Sequence, residues 1–209
     1  AMAMGHIILK EFYVDRQAAY FQDYARRYTD MPMLVRLVEQ DGRLVPERQL
    51  RASDFKEGLG ETNNPEWKTV AIDGRTGKVC APHGSVGFRW GETGKWNLEE
   101  KDSRGNDTEL LLTLAAPEAE LADVAFPYFG NIAHEHFVST GHDSVLMRKV
   151  PVRRLELKDG EAIVATVHDL LLANYGVDRG FAGDCVPKSL DDDGPYTPAW
   201  AEAITGVPR

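Results

Sequence analysis

Three times in 209 residues an Asp-Gly pair stands between two apolar runs, and that device limits the fold more than any other feature of the chain. The central residues of a tight hairpin turn take positive φ, which glycine adopts freely and aspartate tolerates. Asp41-Gly42 separates residues 33–38 from Leu44 and Val45. Asp73-Gly74, in a five-residue loop ending at Gly77, separates 67–72 from 78–81, and Asp159-Gly160 separates 152–157 from 162–167. Each predicts a β-hairpin, and together they predict a mainly antiparallel sheet. The turns are unevenly spaced, so this is not a repeat protein.

Helical patterns lie at the two ends. Met4, Ile7, Ile8, Glu11 and Phe12 fall at helical spacing with no capping residue ahead of them. Asp15 is expected to cap a second helix whose Tyr20, Phe21, Tyr24, Ala25 and Tyr28 form an aromatic face packed into the core, ending before Pro32. Further on, 110–114 reads as a buried strand, 126–144 as a long aromatic, glycine-bearing loop, and 179–195 as another loop. A short helix over 170–175 stops at Asn174 and Gly176. Thr197 then caps a final helix with Pro198 in its first position and Gly206 closing it. The expected class is α+β, mainly antiparallel β hairpins with helices at both chain ends. Residues 1–32 form a helical leading segment continuing from an upstream domain, 33–167 a β-rich hairpin domain, and 168–209 a helix-loop-helix segment.

Charge narrows the partners. Lys and Arg number 24 against 33 Asp and Glu, a formal charge of −9, so nucleic acid and anionic membranes would be repelled. The longest apolar run, 110–116, falls far short of the ~20 residues that span a bilayer, and no signal peptide is expected at the start. No direct membrane insertion is expected, and the chain itself is expected to be soluble. Cys80 and Cys185 stand 105 positions apart, too few to ligate an iron–sulfur cluster alone, and their scarcity suits a reducing compartment.

No motif supplies a self-contained active site. His134, Glu135 and His136, with His142 and Asp143 nearby, are metal-ligating residue types, but on a loop at i, i+2 spacing they read as solvated polarity, so no metal site is expected. His83 beside Ser85 reads as a turn, and the 191–193 aspartate run as a solvated charge cluster lacking the calcium-loop spacing. The glycines at 84–87 and 91–94 carry neither a P-loop lysine nor a dinucleotide fingerprint. Between them, Arg89 and Trp90 could offer a cation and a stacking plane, although an inward-packed Trp90 on a strand is the favoured reading.

Longer words are more telling. Gly87-Phe88-Arg89-Trp90-Gly91-Glu92, followed by 94–99, and the stretches 5–12, 23–35, 63–71, 172–176, 196–202 and 204–207 closely resemble the catalytic alpha subunit of membrane-bound respiratory nitrate reductase, across essentially the whole chain. The resemblance implies a parent molybdopterin oxidoreductase that reduces nitrate to nitrite at molybdenum held by two pterin guanine dinucleotides. Its electrons would arrive through iron–sulfur clusters, including a 4Fe-4S cluster, from an iron–sulfur beta subunit on the cytoplasmic side of the bacterial inner membrane. In that family the cluster ligands and the molybdenum-binding aspartate precede the point matching Ala1, and much of the pterin framework follows Arg209. The uncapped opening helix and abrupt end are therefore expected to mark an internal piece, without catalytic residues or cofactors of its own and prone to self-association.

Its expected role is a brace among the remaining domains of the alpha subunit. On chemistry alone, Asp30, Arg89 and Trp90 are the residues to examine for cofactor contact. The alternative is a free-standing module that captures a small anion or a protein on the Arg89-Trp90 strand and aromatic loop. A metal-dependent hydrolase at His134 and His136 ranks last.

Overall fold

The computed structural model describes residues 1–83, 99–128 and 145–209. Helix α1 (Met2–Ile8) runs into a π-helical stretch, Leu9–Asp15, and then α2 (Ala19–Tyr28). The body is built from strands β1 (Leu34–Gln40), β2 (Arg43–Gln49), β3 (Ala71–Ile72), β4 (Val79–Cys80), β5 (Glu120–Pro127), β6 (Val145–Leu157) and β7 (Gly160–Thr166). Helices α3 (Val167–Asn174) and α4 (Pro198–Thr205) complete it.

All three hairpins form, but the turns are built differently. β1 and β2 pair antiparallel up to Gln40 and Arg43, with Asp41 at φ 52° and Gly42 at φ 73° making the reversal. Between β6 and β7 the last pair is Leu157 with Gly160, so Lys158 and Asp159 turn the chain and Gly160 opens the strand at φ 121°. β3 and β4 form a small separate hairpin whose reversal is held by the Asp73 carboxylate, which accepts from Arg75 N, Thr76 Oγ1 and Glu109 N.

The larger sheet is not simply the set of antiparallel hairpins that the turns predict. It closes into a five-stranded barrel in the order β1-β2-β5-β6-β7, with β7 returning to β1. β5 makes the difference. It pairs antiparallel with β6 over eight positions and meets β2 in parallel through a single pair, Leu44 with Val124. The sequence hides it because Pro117 and the acids at 118, 120 and 123 mask an inward run, Val124, Ala125 and Phe126, all buried.

Two cores result from the period-2 alternation of the strands. Val35, Leu37, Val124, Phe126, Val150 and Ala165, with Leu44, draw on all five barrel strands and fill the barrel, where α3 adds Leu170 and Ala173. Leu34, Val164, Ala162 and Leu157 face the other way, against Leu50, Phe55, Val70 and Ile72. Residues 110–114 are buried at Leu110, Leu112 and Leu114 as expected, yet form no ladder. Leu110 makes one bridge to Asp73, and side chains satisfy much of the remaining backbone.

The ends follow the expected plan with two corrections. Thr197 caps α4 by accepting from Trp200 N, and Gly206 ends it at φ 69°. Asp15, by contrast, caps nothing; it closes the π-helical stretch and pairs with Lys10 Nζ at 2.7 Å. The aromatic face of α2 is turned outward. Tyr20, Tyr24 and Tyr28 are 80%, 47% and 53% exposed and stack on one another, with centroids 6.3 and 5.1 Å apart, while Ala25 is the buried contact. A ring at i, i+4, i+8 marks one face of a helix without saying which face is covered.

A Cβ added at Gly42 or Gly160 would meet nothing within 4 Å, so substitution there isolates backbone strain. Gly42→Ala should cost about 1 kcal/mol and Gly160→Ala, at a φ almost confined to glycine, about 2 kcal/mol, read as urea midpoints at unchanged m-value.

Candidate functional site

Polar side chains concentrate where β7 enters α3. Thr166-Val167-His168-Asp169 places a hydroxyl at the N-cap and a carboxylate three residues on, the spacing of a capping box. Thr166 Oγ1 accepts from Asp169 N at 3.0 Å. Its own proton lies within reach of Leu112 O at 2.8 Å and Asp169 Oδ2 at 3.0 Å. Asp169 is fully buried, and three further donors converge on it: Thr113 Oγ1 at 2.6 Å, Leu114 N at 2.8 Å and Arg179 Nη1 at 2.6 Å. One carboxylate thus joins the 110–114 segment, α3 and the following loop.

The neighbouring rings are shielded. Tyr13 stands edge-on to His168 with centroids 4.2 Å apart. Burial raises the Tyr13 hydroxyl above its usual range, with the Asp169 charge adding to it. Burial likewise pushes His168 down to about 4, keeping the imidazole neutral at physiological pH. His6 donates from Nδ1 to Tyr175 O, 2.8 Å away, and burial lowers its pKa too.

On the far side of α3 lies Arg148. Its place on β6, between inward Leu146 and Val150, puts it opposite Val124, at the barrel mouth, where it is almost fully buried. Its guanidinium donates to four backbone carbonyls: Asp184 O at 3.0 Å from Nε, Ala173 O at 2.6 Å and Asn174 O at 3.1 Å from Nη1, and Cys185 O at 2.8 Å from Nη2. Two of these end α3, so the side chain caps the helix C-terminus and ties it to the loop. Desolvation lowers the Arg148 pKa from its ordinary value. Gly183 is required beside it, since a Cβ there would sit 2.8 Å from Arg148 Cγ.

The sequence candidates do not assemble here. Asp30 is exposed, and its carboxylate accepts from Gln49 Nε2 at 2.8 Å. Arg89 and Trp90 lie outside the described residues, as do Ser85, His134, Glu135, His136, His142 and Asp143. His83 sits in a turn as expected. Asp192 accepts from Lys188 N and Ser189 N, which makes the aspartate run a loop staple. Among the described residues no three His, Cys, Asp or Glu converge as a metal site. Cys80 lies half-buried in β4 with its thiol pushed up to about 12 by burial, whereas Cys185 is exposed beside Arg148, so this pair does not fit an iron–sulfur cluster. No described helix is long and apolar enough to cross a membrane.

Asp169, Arg179 and Arg148 escaped sequence reading. The T-x-x-D spacing was a usable signal for Asp169, and a charge at a period-2 inward position was one for Arg148.

No family model matches the chain. Comparison with curated proteins is decisive: the chain corresponds over its whole length to a segment of the alpha chains of nitrate reductases. Respiratory nitrate reductase 1 alpha chain and 2 alpha chain of Escherichia coli K12 are 55% and 56% identical over 211 residues, and the nitrate reductase alpha chain of Bacillus subtilis 168 is 39% identical over 210 residues. All of this chain is covered in each case, but it spans only 17%, 17% and 16% of those relatives.

Asp169→Asn and Arg179→Gln should each destabilise the fold by about 3–5 kcal/mol, because each strands a buried charge. The double variant should cost clearly less than the sum in a denaturation cycle. Stability should also fall as pH drops from about 6.5 toward 4. In that window the unfolded chain protonates His168 while the folded site keeps it neutral. This one group contributes up to about 1.4 kcal/mol per pH unit. His168→Gln should flatten the slope, measured by urea unfolding at several pH values.

Proposed function

We propose that this chain is the barrel-bearing brace of an alpha subunit that reduces nitrate to nitrite. The full-length identity of 55% to a respiratory nitrate reductase alpha chain carries the reading. When bound in the parent, molybdenum with two pterin guanine dinucleotides would supply the oxygen-atom and electron chemistry, fed through iron–sulfur clusters by a beta subunit on the cytoplasmic side of the membrane. The described residues hold no step of that reaction. Their work is positional: Asp169 and Arg148 fix α3 against the barrel, and the loops leaving it are set by that anchor.

In this reading residues 33–167 are the β-rich body, and 1–32 and 168–209 are helical flanks meeting other parts of the alpha subunit. The surfaces favour it. Met4, Ile8 and Phe12 expose one apolar face and Tyr20, Tyr24 and Tyr28 another, while Phe126, Val167 and Leu170 line an open groove between β5 and α3. Aromatic and apolar patches of this kind are typical of covered interfaces.

The isolated chain should neither bind stoichiometric molybdenum nor reduce nitrate with a viologen donor. In the whole alpha chain Asp169→Asn should lower the yield of folded, metal-loaded enzyme while leaving turnover per molybdenum near normal. Metal analysis paired with activity separates the two; turnover by the isolated chain would overturn the proposal.

A further inference from the structure

Between the end of α3 and the loop that follows lies a small, partly enclosed cavity of about 20 Å³, lined by Arg148, Gly176, Val177, Arg179, Phe181 and Val186. One water-sized sphere needs about 10–15 Å³, so the space admits an ion or molecule of that size. Its polar groups are unusual. Arg179 gives Nη1 to Asp169 and lays its Cζ 4.9 Å over the Phe181 ring, but its Nη2 is buried with no acceptor among the described residues. An N–H left in that state is costly, and native structures rarely tolerate it.

The charges do not balance either. Asp169 answers Arg179, and Asp123 answers Lys149, which also borders the cavity. Arg148 meets only carbonyl oxygens; Asp184, whose carbonyl it holds, turns its carboxylate to Met147 N. No carboxylate lies within ion-pair distance of Arg148 among the described residues, so its charge is answered by carbonyl dipoles and, at longer range, by Asp184, without a direct counter-ion. A water would give Arg179 Nη2 an acceptor but no counter-ion to Arg148. A small anion supplies both, and the apolar walls of Val177, Val186 and Phe181 strengthen its attraction by excluding solvent.

We propose that this cavity binds a small monovalent anion of about chloride size, which accepts from Arg179 Nη2 and sits in the field of Arg148. The anion would fasten the loop at 177–186 to the end of α3. Its binding is independent of the parent's reaction.

Thermal unfolding of the full chain in sodium chloride, bromide or nitrate, compared with sodium gluconate at equal ionic strength, tests the site, because gluconate is too bulky to enter. At about ten times Kd, halide should raise Tm by roughly 3–6 °C. Nitrate, whose planar spread exceeds a chloride-sized space, should give a smaller gain than chloride, and an equal gain would overturn the assignment to a chloride-sized anion. Bromide soaked into crystals should give an anomalous peak within hydrogen-bond distance of Arg179 Nη2. Val177→Ile narrows the cavity without altering a charge and should abolish the halide gain; Arg179→Gln, which removes both charge and donor, should do the same. Equal Tm in chloride, bromide and gluconate, a water alone in the cavity, or a halide gain that survives in either variant would overturn the proposal.

Discussion

A guanidinium placed on the inward side of a barrel strand is the constraint around which the described structure is organised. Arg148 occupies a position in β6 that the pleat assigns to an apolar residue, and desolvating it would be prohibitive without partners. The partners are the carbonyls of Ala173 and Asn174 at one helix end and of Asp184 and Cys185 in the loop beyond. The strand, the helix terminus and the loop therefore cannot shift independently. Asp169, at the opposite end of the same short helix, does the complementary work by gathering donors from Thr113, Leu114 and Arg179. α3 is pinned at both termini, acid at its start and base at its end, in the sense its dipole favours.

Much of the architecture was legible because its signals were local. Asp41-Gly42 and Asp159-Gly160 announced their hairpins, and Thr197, Pro198 and Gly206 bounded α4 to the residue. Barrel closure was not legible, because it depends on β5, whose buried Val124-Ala125-Phe126 triplet breaks alternation and whose acids are typical of a loop. The α2 tyrosines were misread for a different reason: periodicity reveals a shared face, whereas burial depends on what else is nearby. At the candidate site, the chemistry came from residues with ordinary local contexts. Arg179 and Asp169 lie ten positions apart, but they meet only once α3 has folded back over the 110–114 segment.

Long words shared with nitrate reductase alpha chains carried the resemblance, and identities of 55% and 56% over all of this chain, which corresponds to 17% of those relatives, agree with it. Among the described residues Asp169 and Arg179 pair with each other and Arg148 donates to backbone carbonyls, while the two cysteines occupy unlike surroundings at separate places in the fold.

The barrel is nevertheless unevenly fastened. Four of its five seams are antiparallel ladders of several rungs, while β2 reaches β5 through one parallel rung, Leu44 with Val124. A cylinder held shut by a single tooth parts there before it parts elsewhere. Transient breathing of the native state should therefore begin along the flank of β2 and spare the β6–β7 staves, giving the molecule a built-in direction of opening.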